Sequence, residues 1–268
     1  MKTKRLTRLF AAIIAGTMLF AVSGCGPKAK SVASIKKEGK IVMGTSADYP
    51  PYEFHKEING KDTVVGFDVE IAKEIAKDLG VELEIKEMEF GGLLAGLKTG
   101  KVDFVIAGMT PDEKRKKEVD FSNIYYLAKQ GVLVRAEDKG KIKTIADLKG
   151  KKVGAQQGSV QEDIAKEQIK DAELKTLANV ADLVLELKNK KVDAVVMELP
   201  VANAYILQNT ELVVSDVKVE EDTGGSAVGI AKGNKELTDS INKTIDRLQS
   251  AKMIDKFVDD ASKLSIQK

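Results

Sequence analysis

The chain carries one cysteine, one histidine and no tryptophan in 268 residues. With Cys25 alone there is no internal disulfide, so the fold must be held by its core. About 240 residues beyond it are enough for that, in one large or two small lobes. With His55 alone there is no histidine-pair metal site and no cysteine–histidine pair in the body of the chain. His55 lies in a polar stretch over 55–60 and reads as a solvated loop residue. There is no G-x-S-x-G turn, no G-x-x-x-x-G-K-[ST] phosphate loop and no G-x-G-x-x-G. No apolar run reaches the roughly twenty residues of a membrane span, which argues against the sensor domain of a membrane receptor. The sequence therefore presents neither a catalytic constellation nor a metal or cofactor motif.

What is present begins with a leader. Lys2, Lys4, Arg5 and Arg8 precede an uncharged apolar run over 9–22, and Val22-Ser23-Gly24-Cys25 follows at once. The pattern is that of a signal peptide. Its end resembles the lipobox of bacterial lipoproteins, which implies cleavage before Cys25 and lipidation of its sulfur. Processing would change the sign of the charge. The whole chain holds 43 basic and 41 acidic residues, net +2; without the leader's four basic residues the balance is −2. No bulk positive charge remains to draw nucleic acid. The lysines of Lys114-Arg115-Lys116-Lys117 read as a solvated helix face.

Residues 25–38 are polar and small, which suggests a tether between lipid and domain. From Gly39 onward strands and helices alternate, the signature of the α/β class. The strands are expected at 40–45, 81–87, 102–107, 130–134, 152–155, 192–197, 212–214 and 227–231. A helix capped by Asp68 carries Val69, Ile71, Ala72, Ile75, Ala76 and Leu79 at helical spacing and ends at Gly80. Further helices are expected at 93–99, 144–148, 161–169, 180–188 and 200–207. Two more, broken near Ser250-Ala251, fill 237–264. Thr110 at the cap, Pro111 in the first turn and acids after it mark another helix start.

One segment returns. Leu97-Lys98-Thr99-Gly100-Lys101-Val102-Asp103-Phe104-Val105-Ile106 reappears as Leu187-Lys188-Asn189-Lys190-Lys191-Val192-Asp193-Ala194-Val195-Val196. Units of this kind are common in α/β proteins; here the pair suggests two similarly built lobes. Ligands of open α/β sheets sit beyond the C-terminal strand ends. The tails after the two strands differ, Ala107-Gly108-Met109-Thr110 against Met197-Glu198, and chemistry is expected there.

Arg115 follows the first tail by one helical turn. An arginine beside a helix start can hold a carboxylate through two parallel hydrogen bonds, although an arginine in a basic run is more often a surface residue. Glu198 could receive an ammonium group or cap the helix opening near Pro200. Tyr49 and Phe90 could wall a ligand or close the core. Gly158, between a strand and a helix, lets backbone approach a ligand.

Together these residues resemble a known family, the extracellular solute-binding proteins of amino-acid ABC importers, in the branch for polar amino acids. The resemblance is carried by Gly44-Thr45-Ser46-Ala47-Asp48-Tyr49-Pro50-Pro51-Tyr52-Glu53-Phe54, Val65-Gly66-Phe67-Asp68-Val69-Glu70, Ala107-Gly108-Met109-Thr110 through Lys114-Arg115-Lys116, Asp120-Phe121-Ser122, Asp147-Leu148-Lys149-Gly150-Lys151-Lys152-Val153-Gly154 and Val192-Asp193-Ala194-Val195. It implies a two-lobe α/β fold of periplasmic-binding-protein type II. Lobe one would be 39–128 plus 224–268 and lobe two 129–223, with two hinge strands and a ligand in the cleft. Arg115 would clamp the ligand's α-carboxylate, helped by Thr110 and the Val160 N–H. The Gly108 carbonyl and Glu198 would take the ammonium, and Tyr49 and Phe90 would sandwich the side chain. Gln156 and Ser46 would line the far end. Many relatives have Asp at the position of Glu198, and binders of basic amino acids often have Asp at that of Ser46. The implied protein is a monomer without cofactor, outside the cytoplasm and lipid-anchored to the cell membrane. It would pass free L-arginine, lysine or glutamine to the membrane subunits of an importer. The alternative is an enzyme on the same fold, similar to cyclohexadienyl dehydratase.

Overall fold

A computed structural model describes residues 29–220 and 224–267 of the chain. The leader and Cys25 lie outside the described residues. Among the described residues, helix α1 (Val32–Glu38) is the first element, and Ile35 on it is fully buried. The expected tether is thus corrected over 32–38. Its sparse apolar residues, Val32 and Ile35, share one helical face and dock on the core.

The first half continues with β1 (Lys40–Thr45), β2 (Asp48–Tyr49), β3 (Glu53–Ile58), β4 (Lys61–Val65), α2 (Phe67–Leu79) and β5 (Glu82–Glu87). Next come α3 (Leu93–Lys98), β6 (Phe104–Val105), α4 (Glu113–Glu118) and β7 (Val119–Tyr126). The second half holds β8 (Gln130–Arg135), β9 (Lys152–Gln156), α5 (Val160–Gln168), β10 (Glu173–Leu177), α6 (Val180–Lys188), β11 (Ala194–Glu198), α7 (Leu199–Gln208) and β12 (Leu212–Val214). The chain closes with β13 (Ser226–Ala231), α8 (Lys235–Ser250) and α9 (Met253–Ile266).

Two five-stranded sheets result, ordered β5-β1-β6-β13-β7 and β10-β9-β11-β8-β12, with a small sheet β2-β3-β4 beside the first. The chain passes from one large sheet to the other between β7 and β8 and returns between β12 and β13. Each sheet carries its own helices, which gives the two lobes the resemblance implies. The apolar face expected of α2 is all buried, and α2 packs against α8 and α9.

The repeated segment folds the same way twice. Asp103 accepts the Val42 N–H at 2.8 Å, and Asp193 accepts the Lys152 N–H at 3.0 Å. Their own N–H groups donate to the Val42 and Lys152 carbonyls at 2.8 and 2.7 Å. Each aspartate therefore pins its unit to a parallel neighbour, β1 or β9. The turn between helix and strand needs a left-handed residue; Gly100 supplies it in one copy at φ +69°, and Lys190 in the other at φ +60°.

Local departures from the sequence reading have simple causes. Asp68 does not cap α2; Gly66 does, at φ +133°, where a β-carbon would lie 2.0 Å from the Tyr52 carbonyl oxygen. Asp68 sits within the first turn and is fully buried, accepting from the Gly108 N–H and the Tyr125 hydroxyl, both at 2.8 Å. Asp112, not Thr110, caps α4, its side chain accepting the Arg115 N–H at 2.8 Å. His55 lies on β3 rather than in a loop, with Nδ1 3.0 Å from Asp62 and Nε2 2.7 Å from Glu87.

Candidate functional site

Where the ends of the two large sheets meet, the lobes enclose a narrow cavity of about 10 Å³, room for about one water molecule. Its walls come from the turn after β1, from β2 and β3, from the tail after β6, and from β9 and the start of α5. Eight of the nine expected residues line it: Ser46, Tyr49, Phe90, Gly108, Thr110, Arg115, Gln156 and Val160. Glu198 does not.

Arg115 is only 8% exposed. Nη1 donates to the Thr110 carbonyl at 2.7 Å and Nη2 to the Gly158 carbonyl at 2.9 Å, so the guanidinium ties the lobes together. It lies over the Phe90 ring, 5.3 Å from its centre. The nearest carboxylate oxygen, on Asp112, is 3.4 Å from Nε. Burial pulls its pKa below the ordinary arginine value. A fork with five N–H donors, here compensated mainly by carbonyl dipoles, keeps capacity for an anion.

Gly108 is fixed by two requirements. Its φ is +55°, and a β-carbon would meet the Tyr52 and Tyr49 rings at 3.3 and 3.4 Å. Phe90 serves first as the platform for Arg115 and also lines the cavity. Gly158 does not line it; its turn packs on Gly91, its N–H donates to Glu162 and its carbonyl serves Arg115. The first helical residue after it, Val160, is the one that lines the wall.

Glu198 ends β11, is 3% exposed and stands behind two tyrosines. The Tyr52 hydroxyl donates to its carboxylate, and its own N–H donates to the Tyr49 hydroxyl at 3.2 Å. The Tyr49 hydroxyl also accepts from Gln161 at 3.4 Å. These bonds again cross between lobes.

Sequence reasoning missed Asp48, Glu53, Ala107 and Gln161, which also line the cavity. Glu53 is the most informative. It is fully buried; among the described residues no N–H or hydroxyl reaches its carboxyl oxygens, and its polar partner is the Asp68 carboxyl, to which protonated Glu53 donates. Burial, and then the neighbouring Asp68 carboxyl, push Glu53 well above the ordinary carboxylate range. Asp68 is itself raised to about 6 by burial, against the pull of the Gly108 N–H and Tyr125 hydroxyl. Two buried carboxyls at such a spacing cannot both ionise at low cost. The available signal was an acid between Tyr52 and Phe54 in an otherwise apolar run, with no wet face to occupy.

Seen as chemistry, the cleft offers one buried guanidinium, aromatic walls and several acids. That set suits a small zwitterion. Comparison with known proteins agrees. The family of bacterial extracellular solute-binding proteins, family 3, matches residues 41–260. The arginine-binding extracellular protein ArtP of Bacillus subtilis (strain 168) is 41% identical over 250 residues, covering 91% of this chain and 94% of ArtP. An amino-acid ABC transporter substrate-binding protein, AbpA of Streptococcus pneumoniae Canada MDR_19A, solved with L-arginine, superposes with a TM-score of 0.86 at 40% identity, covering 88% of this chain and 100% of that one. The ancestral amino-acid-binding protein AncCDT-1, described as a precursor of cyclohexadienyl dehydratase, gives 0.78 at 34% identity over 85% of this chain and 98% of its own. The chain belongs to the bacterial extracellular solute-binding proteins, family 3.

Proposed function

We propose that this protein captures a cationic L-amino acid, arginine foremost, between its lobes and delivers it to an ABC importer by hinge closure. The observation that carries the reading is the charge balance of the cleft. Among the described residues, Arg115 is the one basic side chain lining the cavity, while Asp48 and Glu53 line it and Glu198 stands directly behind. Arg115, with Thr110 and the Val160 N–H, takes the α-carboxylate. The Gly108 carbonyl and Glu198 take the α-ammonium, with Tyr49 and Phe90 flanking the side chain and Ser46 and Gln156 at its far end. A neutral side chain such as that of glutamine leaves the acids in surplus; a guanidinium or ammonium gives Glu53 a counter-charge. The absence of Asp at position 46 is thereby made good by Glu53.

The lobes that close are 39–128 plus 224–268 and 129–223. They meet in one ligand, which shifts the population towards the closed arrangement by binding both halves. Lipidation of Cys25 would hold a monomeric domain at the outer face of the membrane, and detergent phase partition of the processed protein tests it. A thermal-shift screen over the twenty amino acids tests the ligand class. A ligand at 100 times its Kd adds about 2.7 kcal/mol, so arginine or lysine should raise the melting point most. A panel without any shift overturns the reading. A catalytic role is tested separately, by product absorbance after incubation with prephenate or arogenate.

A further inference from the structure

Asp48 faces the cavity, yet its hydrogen bonds run into the opposite lobe. It is 8% exposed. Oδ1 accepts from the Ser46 hydroxyl at 2.9 Å, within its own lobe. Oδ2 accepts the Val180 N–H at 2.5 Å and the Gln156 side-chain N–H at 3.4 Å, and its backbone carbonyl accepts the Tyr205 hydroxyl at 3.1 Å. Val180 and Tyr205 lie on α6 and α7, which pack on the second large sheet. Neither lines the cavity.

The bond to Val180 completes a helix start. The side chain of Asn179 accepts the Ala181 and Asp182 N–H groups at 2.8 and 3.3 Å. The first helical N–H, on Val180, is left to Asp48. With the lobes apart, this buried donor and acceptor would need other partners, since unpaired polar groups in an apolar site are costly. The other ties between the lobes differ in kind. Lys114–Asp163 is an exposed ion pair of small worth. The Arg115–Gly158, Tyr52–Glu198, Glu198–Tyr49 and Gln161–Tyr49 bonds involve groups assigned to the ligand, and the bond from the Gln208 side chain on α7 to the Ser265 carbonyl on α9, at 2.6 Å, lies apart from the cavity.

We propose that Asp48 is a closure latch: through the Val180 N–H and the Tyr205 hydroxyl it holds the second lobe against the first and so tunes affinity for every amino acid the cleft accepts. The proposal deepens the two-lobe binding reading and rests on it. It makes Asp48 a positioning residue, acting on closure rather than on one end of the ligand.

The test uses two variants that break the same bond from opposite sides. Asp48→Ala removes the acceptor. Val180→Pro removes the donor without touching the cavity, at the first helical position where proline is tolerated. Arginine and its neutral isostere citrulline are titrated into both, and into the double variant. The latch predicts that each single variant raises Kd for both ligands by the same factor, about tenfold or more, the worth of a hydrogen bond to a charged group. The rise should come mainly through faster dissociation, and the double variant should add little to either single one. Asp48→Asn, which keeps an acceptor, should recover most of the affinity. Spin labels at Lys73→Cys on α2 and Glu167→Cys on α5, in a Cys25→Ser background, read closure without any ligand; both variants should shift the distances longer. Unchanged Kd and distances in Val180→Pro would overturn the latch. So would a loss in Asp48→Ala confined to arginine, which would make Asp48 a direct contact of the ligand's cation. Failure of the wild type to bind either amino acid would refute the binding reading instead, and the distances would still judge the latch. If Asp48→Ala does not fold, Val180→Pro alone decides.

Discussion

Replacing Arg115 by alanine separates what the residue does for the ligand from what it does for the fold. In the protein alone, the variant loses two hydrogen bonds to carbonyls and the contact with Phe90. Two net hydrogen bonds and a partly buried cation–π contact amount to about 2–4 kcal/mol, enough to lower the melting point while leaving the domain folded. With ligand bound, the variant also leaves the α-carboxylate in a water-poor cleft without its counter-charge. Removing one partner of such a buried pair costs about 3–5 kcal/mol, which corresponds to a rise in Kd of roughly 200- to 5,000-fold. Isothermal titration gives Kd directly, and circular dichroism gives the stability of each form. Every amino acid presents the same α-carboxylate, so the penalty should be alike for arginine and for any weaker ligand. Arg115→Lys keeps the charge but not the planar fork, and should fall between. An alanine variant that is folded and binds within threefold of wild type would refute the clamp and, with it, the orientation of the ligand in the cleft.

Three further outcomes follow from other parts of the molecule. Asp68 is held at about 6 against an ordinary 3.8. A raised carboxyl means that the folded state keeps a proton the unfolded chain has released, so its contribution is most favourable below about pH 4 and is lost as pH rises to about 6. Relative to Asp68→Asn, wild-type unfolding free energy should therefore drop by about 3 kcal/mol between pH 4 and pH 7, and a flat difference would contradict the burial argument. Because Glu53 is raised for the same reason, arginine should bind more weakly as pH falls from 7 to 5 and release protons on binding, as read from titrations in buffers of different ionisation enthalpy. Lys190→Gly should stabilise by about 0.5–1 kcal/mol in urea unfolding, because a side chain at φ +60° carries a left-handed penalty and its ion pair with Glu137 is exposed.

The sequence was informative wherever one periodicity ruled. β1, α6 and β12 lie where the apolar pattern puts them: β1 is a run buried on both faces, α6 buries the one face its spacing defines, and β12 is a short apolar stretch. The repeated helix–turn–strand unit was legible, but its reason was not: Asp103 and Asp193 look like surface acids until their bonds to β1 and β9 are seen. The β3–β4 hairpin escaped because its residues are mostly polar. Asn59-Gly60, both at positive φ, was the one local sign of its turn. The caps of α2 and α4 were each misplaced by two residues because Gly66, Asp68, Thr110 and Asp112 all suit a helix start, and tertiary contacts choose among them. In the site, Arg115 and Gly108 could be picked out by their places beyond strand ends, whereas Gln156 came only from the family resemblance. Glu53 and Asp48 could not, because acids in an aromatic run gain meaning only once the second lobe buries them.

The central claim is that the cleft recognises a zwitterion with a positive side chain. Calorimetric titration with L-arginine and L-citrulline tests it most directly, since the two share shape and α-carbon groups and differ in the charge of the side chain. The account predicts that arginine binds at least about a hundredfold more tightly, the worth of a cation set against a buried carboxylate. Equal affinities, or a preference for citrulline, would contradict it.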